Sequence, residues 1–81
     1  MGTYIVVNKH RAEECLPMDA GIGRISPRLR GQTFYCSCPY GEHGFYMILE
    51  GSSAEDVIGD LPGEWRPGTR AIPLELFRLP E

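Results

Sequence analysis

The sequence predicts a small α+β fold with the element order β-α-β-β-α-β: a four-stranded antiparallel sheet with helices on one face. Three observations predict it. Four short stretches, starting at Thr3, Gln32, His43 and Arg70, are rich in β-branched and aromatic residues. Two stretches between them carry helix-starting residues and apolar spacing of helical period. Gly and Pro punctuate the joins, at Gly31, Pro39–Gly41, Gly51 and Pro62-Gly63.

The first strand is expected over Thr3–His10. Period two puts Ile5 and Val7 on one face, and Tyr4, Val6, Asn8 and His10 on the other. Arg11–Arg30 reads as an interrupted helical region. Pro17 suits a first turn, and Met18, Ile22, Ile25 and Leu29 make one helical stripe. Gly21 and Gly23 weaken that helix or permit a close approach, and Pro27 breaks it. Gln32–Cys38 is the expected second strand, with Phe34, Cys36 and Cys38 on one face. His43–Glu50 is the third, with Phe45, Met47 and Leu49 on one side. Ser53 caps a second helix, whose apolar side is Val57, Ile58 and Leu61. Trp65 is expected as a lid on the core. The fourth strand is expected over Arg70–Leu79, with Ile72, Leu74 and Leu76 pointing inward. Pro73 lacks a ladder donor and puts this strand at an edge. This is the ferredoxin-like arrangement, in which strand order is 4-1-3-2.

The chain has 81 residues, enough for one domain spanning 1–81 and near the lower limit for a self-sufficient core. A metal, disulfides or oligomerisation often supplement a core of that size. The net charge of -3 argues against nucleic acid or an anionic membrane as partner. Arg24, Arg28 and Arg30 form the one basic cluster and read as a solvated helix face. There is no apolar run of membrane-spanning length and no signal-peptide pattern. Three cysteines cannot all pair within one chain, so a reducing cytoplasm is the expected setting.

The topology gives these cysteines a meeting place. The end of strand one, the end of strand two and the start of strand three fall at one end of the sheet. His10, Cys36 with Cys38, and His43 occupy those places, and Cys15 starts the first crossover there. Thiolates and imidazoles together suit zinc, and also iron, nickel or copper. On a strand, Cys36 and Cys38 would lie roughly 6–7 Å apart on one side. His43 would add a third ligand, and His10 or Cys15 a fourth. Cys-x-Cys-x4-His is not a standard zinc-finger spacing.

Blander readings compete. Buried cysteine is often a small hydrophobe, and Cys36 shares a face with Phe34. The histidines suit exposed loops. A dithiol pairing Cys15 with Cys36 or Cys38 is a redox alternative, without a Cys-x-x-Cys motif to support it. Glu13, Glu14 and Glu42 read as solvated, and Gly21-Ile22-Gly23 lies in a helical stretch rather than after a strand.

The segment Phe34–Gly44, followed by Glu50–Glu55 and Leu61-Pro62, resembles small bacterial ferredoxin-like domains of unknown function. These are distantly similar to nickel-binding ferredoxin-like proteins. The resemblance implies sheet-paired homodimers and metal ligands drawn from His10, Cys15, Cys36, Cys38 and His43, with zinc or nickel as the metal. The architecture also resembles dimeric α+β barrels, which include muconolactone-isomerase-like enzymes and cofactor-free monooxygenases. By that analogy a pocket lined by Tyr4, Phe34, Tyr46 and Trp65, away from the cysteines, would mark an enzyme or a small-ligand binder. Physics also suggests a homodimer, because helices cover one sheet face and the other would expose Tyr4 and Val6. The reading that results is a transition-metal-binding protein for sensing, storage or handling.

Overall fold

A computed structural model describes residues 1–15 and 21–81. Four strands are present: β1 (Gly2–Lys9), β2 (Tyr35–Cys36), β3 (Gly44–Gly51) and β4 (Thr69–Leu74). Their order across the sheet is β2-β3-β1-β4, and every neighbouring pair is antiparallel. The helix α1 is Ala54–Gly59. Ser53 caps it as expected, its hydroxyl accepting from the Asp56 N–H at 3.0 Å.

The first crossover departs from expectation. Its described part is three short 3-10 turns, at Ala12–Glu14, Gly21–Arg24 and Pro27–Leu29. Between Gly21 and Leu29, Gly21, Gly23 and Pro27 favour short 3-10 turns over an α-helix. Of the expected stripe, Leu29 is buried, Ile25 packs against the core and Ile22 is exposed, while Met18 and Pro17 lie outside the described residues. Gly21 has a tertiary reason: a Cβ there would sit 2.5 Å from the Trp65 indole nitrogen. Arg24 and Arg28 are exposed, as expected, but they lie on 3-10 turns rather than a helix and are ion-paired. Arg24 pairs with Glu64, and Arg28 pairs with Asp56 at 3.2 Å and Asp60 at 2.9 Å. The crossover is thereby tied to the second half of the chain.

The alternation along β1 is as expected, but its inward face is the one expected to be uncovered: Val6 and Asn8 are fully buried. Met47 lies opposite Val6, and Phe45 and Leu49 continue the same face of β3. Leu29, Val57, Leu61 and Trp65 close over them as one core. Phe34, Phe45 and Trp65 form an aromatic triangle with ring centroids 5.1–5.3 Å apart.

Three corrections follow from register. β2 is two residues long rather than seven, because Ser37 leaves extended geometry (φ -100°, ψ 0°) and Cys38 opens a 3-10 turn. β4 ends at Leu74, and its inner face is the opposite of the one expected. Val6 pairs with Ala71 and Ile5 with Ile72, so Ala71 packs on the core while Ile72 and Leu74 face outward. Leu76 lies beyond the strand, fully exposed. A strand apolar on both faces does not reveal by alternation which face is inward. The uncovered sheet face therefore carries Ile5, Val7, Ile48 and Ile72, not Tyr4 and Val6. Pro73 does lie on an edge strand.

Candidate metal centre

The end of β1 and the start of β3 form one structural unit. The His10 N–H donates to the His43 carbonyl at 3.0 Å, one step past the Lys9–Gly44 pair that ends the ladder. Two histidines thus become cross-strand neighbours, with ring centroids 5.9 Å apart. Gly44 permits this close approach, since a Cβ there would meet the Asn8 carbonyl oxygen at 2.4 Å.

Cys15 follows the 3-10 turn Ala12–Glu14. That turn is held by a capping box in which the Glu14 carboxylate accepts from the Arg11 N–H at 3.0 Å. This bond and the Arg11 side chain lower the Glu14 pKa. Cys38 opens the turn between β2 and β3. Pro39 sets the first turn residue, and Gly41 ends it in the left-handed region at φ 88°. The Ser37 hydroxyl donates across the loop to the Glu42 carbonyl.

The four side chains meet. His10 Nε2 lies 3.2 Å from Cys15 Sγ and 3.3 Å from Cys38 Sγ. Cys15 Sγ lies 3.2 Å from His43 Nδ1 and 3.7 Å from Cys38 Sγ. All four donor atoms fall within 4.8 Å of one another. In a tetrahedral zinc site with Zn–S about 2.3 Å and Zn–N about 2.05 Å, sulfurs are about 3.8 Å apart and sulfur and nitrogen about 3.5 Å apart. The four separations given above, 3.2–3.7 Å, approach those edges. The group could hold one transition-metal ion. No known family model, curated protein or solved structure matches this chain.

Of the five residues singled out in the sequence, His10, Cys15, Cys38 and His43 come together and Cys36 does not. The reason is the early end of β2. Cys36 is the last strand residue, whereas Cys38 has already turned, so the two are not a same-face strand pair. Cys36 instead lines a cavity of about 260 Å³ beside the cluster. His10, Cys15 and Cys38 form one wall of that cavity, and Phe34, Phe45 and Trp65 another. Tyr4 and Tyr46 do not line it, and it adjoins the cysteines rather than lying away from them.

Asn8 is a component that the sequence reading passed over. Its Oδ1 lies 2.7 Å from His10 Nδ1. Its Nδ2 donates to Thr69 Oγ1 at 2.7 Å and to the Pro67 carbonyl at 3.1 Å. With the amide nitrogen committed to acceptors, Oδ1 accepts from His10 Nδ1–H. That fixes the tautomer in which Nε2, facing the two thiols, carries the lone pair. A polar residue on the inner face of a strand, two positions before a histidine, was the available signal.

Proposed function

We propose that this protein binds one zinc ion through His10 Nε2, Cys15 Sγ, Cys38 Sγ and His43 Nδ1. The observation that carries the reading is the convergence of two sulfurs and two nitrogens within 4.8 Å of one another, drawn from two separate segments of the chain. Two thiolates and two imidazoles in a tetrahedron favour zinc over nickel(II), which with N and O ligands prefers planar geometry. Both thiols ionise on binding, so the site releases protons as it fills. It therefore works where cysteines stay reduced, as in the cytoplasm. The role is metal binding and handling.

The fold proposed for this function is the ferredoxin-like one. Support comes from the β2-β3-β1-β4 order, the antiparallel pairing and the two crossovers on one side. The position of the cavity supports the metal reading over a cofactor-free enzyme, because the ligands form its wall.

The test is elemental analysis with native mass spectrometry on protein purified without a histidine tag. One zinc per chain is expected. Cys15→Ser/Cys38→Ser should lose it, while Cys36→Ser should keep it. Absence of metal from the parent protein, together with no uptake of added zinc, would overturn the reading.

A further inference from the structure

All three cysteines of the chain line one cavity. Cys15 and Cys38 belong to the metal-binding group and are half-buried. Cys36 stands outside that group and is exposed.

Strand pairing shows where Cys36 points. It lies opposite Phe45, a core residue, so its side chain stands on the inner side of the sheet. Cys38 Sγ lies 3.9 Å from the carbonyl oxygen of Gly44, the residue before Phe45. The two thiols therefore flank neighbouring residues of β3. Ser37, between them, has φ -100° and ψ 0°. That bend draws the Cα atoms of Cys36 and Cys38 in from the roughly 6–7 Å of a straight strand, towards the separation of about 5.5–6 Å commonest across disulfides.

Metal binding divides the roles of these thiols. Susceptibility to oxidation follows thiolate character and exposure. In the zinc-bound protein the thiolates of Cys15 and Cys38 are engaged by the metal, and exposure singles out Cys36. We propose that Cys36 is a peroxide-sensitive site that controls zinc release, with Cys38 as its resolving partner. This rests on the zinc reading given above.

The chemistry takes two steps. The Cys36 thiol attacks hydrogen peroxide: an S–O bond forms, the O–O bond breaks, and water leaves with the thiol proton. The product is a sulfenic acid. The Cys38 thiolate then attacks the sulfenic sulfur. The S–S bond forms, the S–O bond breaks, and hydroxide leaves and takes a proton from solvent. The two sulfurs have lost two electrons, and one peroxide has become two waters. The centre, left with His10, Cys15 and His43, holds its metal more weakly. A dithiol reductant reverses the change by thiol–disulfide exchange.

Hydrogen peroxide added to the zinc-loaded full chain tests this, with a chromophoric zinc indicator as the readout. One zinc per chain should be released. The tryptic peptide that holds Cys36 and Cys38 should lose two hydrogens, while Cys15 stays open to alkylation. Dithiothreitol with added zinc should restore the loaded protein. Cys36→Ser and Cys36→Ala, checked for folding by circular dichroism, should both keep zinc and release it roughly tenfold more slowly under the same peroxide. Equal release from the parent and both variants would overturn the proposal and assign the sensitivity to the ligand thiols themselves. So would a zinc-loaded parent that keeps its metal under peroxide. A Cys15–Cys38 disulfide in the parent would overturn the choice of resolving thiol. A parent that holds no zinc before peroxide is added would overturn the metal reading, and this proposal with it.

Discussion

Asn8 connects the core to the candidate centre. It is fully buried, yet its oxygen and nitrogen both have partners, so its burial carries no unsatisfied polar atom. In the zinc-bound protein, nitrogen NMR should find the His10 proton on Nδ1 and the metal on Nε2. For His43 the assignment should be reversed, with the metal on Nδ1, because that atom faces Cys15. The same metal-bound nitrogen on both rings would contradict the geometry. Asn8→Ala frees the His10 tautomer and should weaken zinc binding roughly 10- to 100-fold, as loss of a ligand-orienting hydrogen bond does elsewhere. Competition with a chromophoric chelator measures it, and Cys36→Ser serves as the comparison that should leave affinity near that of the parent.

Arg28 shows a different residue-scale effect. Its guanidinium, with the Ser52 backbone N–H, holds the Asp56 carboxyl at about 2, down from 3.8. The folded state binds that proton less readily than the unfolded chain. The contribution is therefore complete above pH 3.8 and lost as pH falls towards about 2. Asp56→Asn should remove this part of the acid dependence. Urea midpoints of the two proteins should differ above that window and converge below it. A constant difference across the window would show that the carboxylate is not the source.

At the scale of elements, the centre depends on the frayed end of an antiparallel pair. β1 and β3 run together to Lys9–Gly44, and one more backbone bond sets His10 beside His43. Gly44 is the residue that lets these backbones close. Gly44→Ala places a Cβ against the Asn8 carbonyl and should destabilise the fold by more than about 1 kcal/mol, through overpacking that the ladder cannot relax. Equilibrium denaturation would read that change, and zinc affinity should fall with it because His10 and His43 are displaced together. An unchanged midpoint would mean the strand ends separate without cost.

The four proposed ligands tie two remote segments: the end of β1 with the turn after it, and the β2–β3 turn. For a chain of 81 residues, near the lower limit for a self-sufficient core, such a tie matters to the whole molecule. Zinc bound only by the folded state stabilises it by about 4 kcal/mol when free zinc is a thousandfold above its dissociation constant. Chelation should therefore lower the melting temperature of the parent protein markedly. The Cys15→Ser/Cys38→Ser variant should melt at the same temperature with and without chelator. Equal chelator sensitivity in both would mean that the metal acts elsewhere.

Residue identity alone determined the strand-forming stretches around Tyr4, Phe45 and Ile72, the Ser53 cap and the edge position of Pro73. Each rests on local chemistry that neighbours along the chain dictate: side-chain branching, a hydroxyl acceptor, a missing N–H. Element order also placed His10, Cys15, Cys36, Cys38 and His43 at one end of the sheet, and four of these five come together. Tertiary structure decided the rest. Whether Ile72 or Ala71 faces the core depends on pairing with Val6, which no alternation within an apolar strand reveals. That Cys36 stays out of the cluster depends on β2 ending at a turn closed from the other side by Glu42 and Gly44. That Asn8 orients His10 depends on acceptors from Pro67 and Thr69, 59 and 61 residues away. Non-local contacts choose among the faces, registers and tautomers that local sequence leaves equivalent.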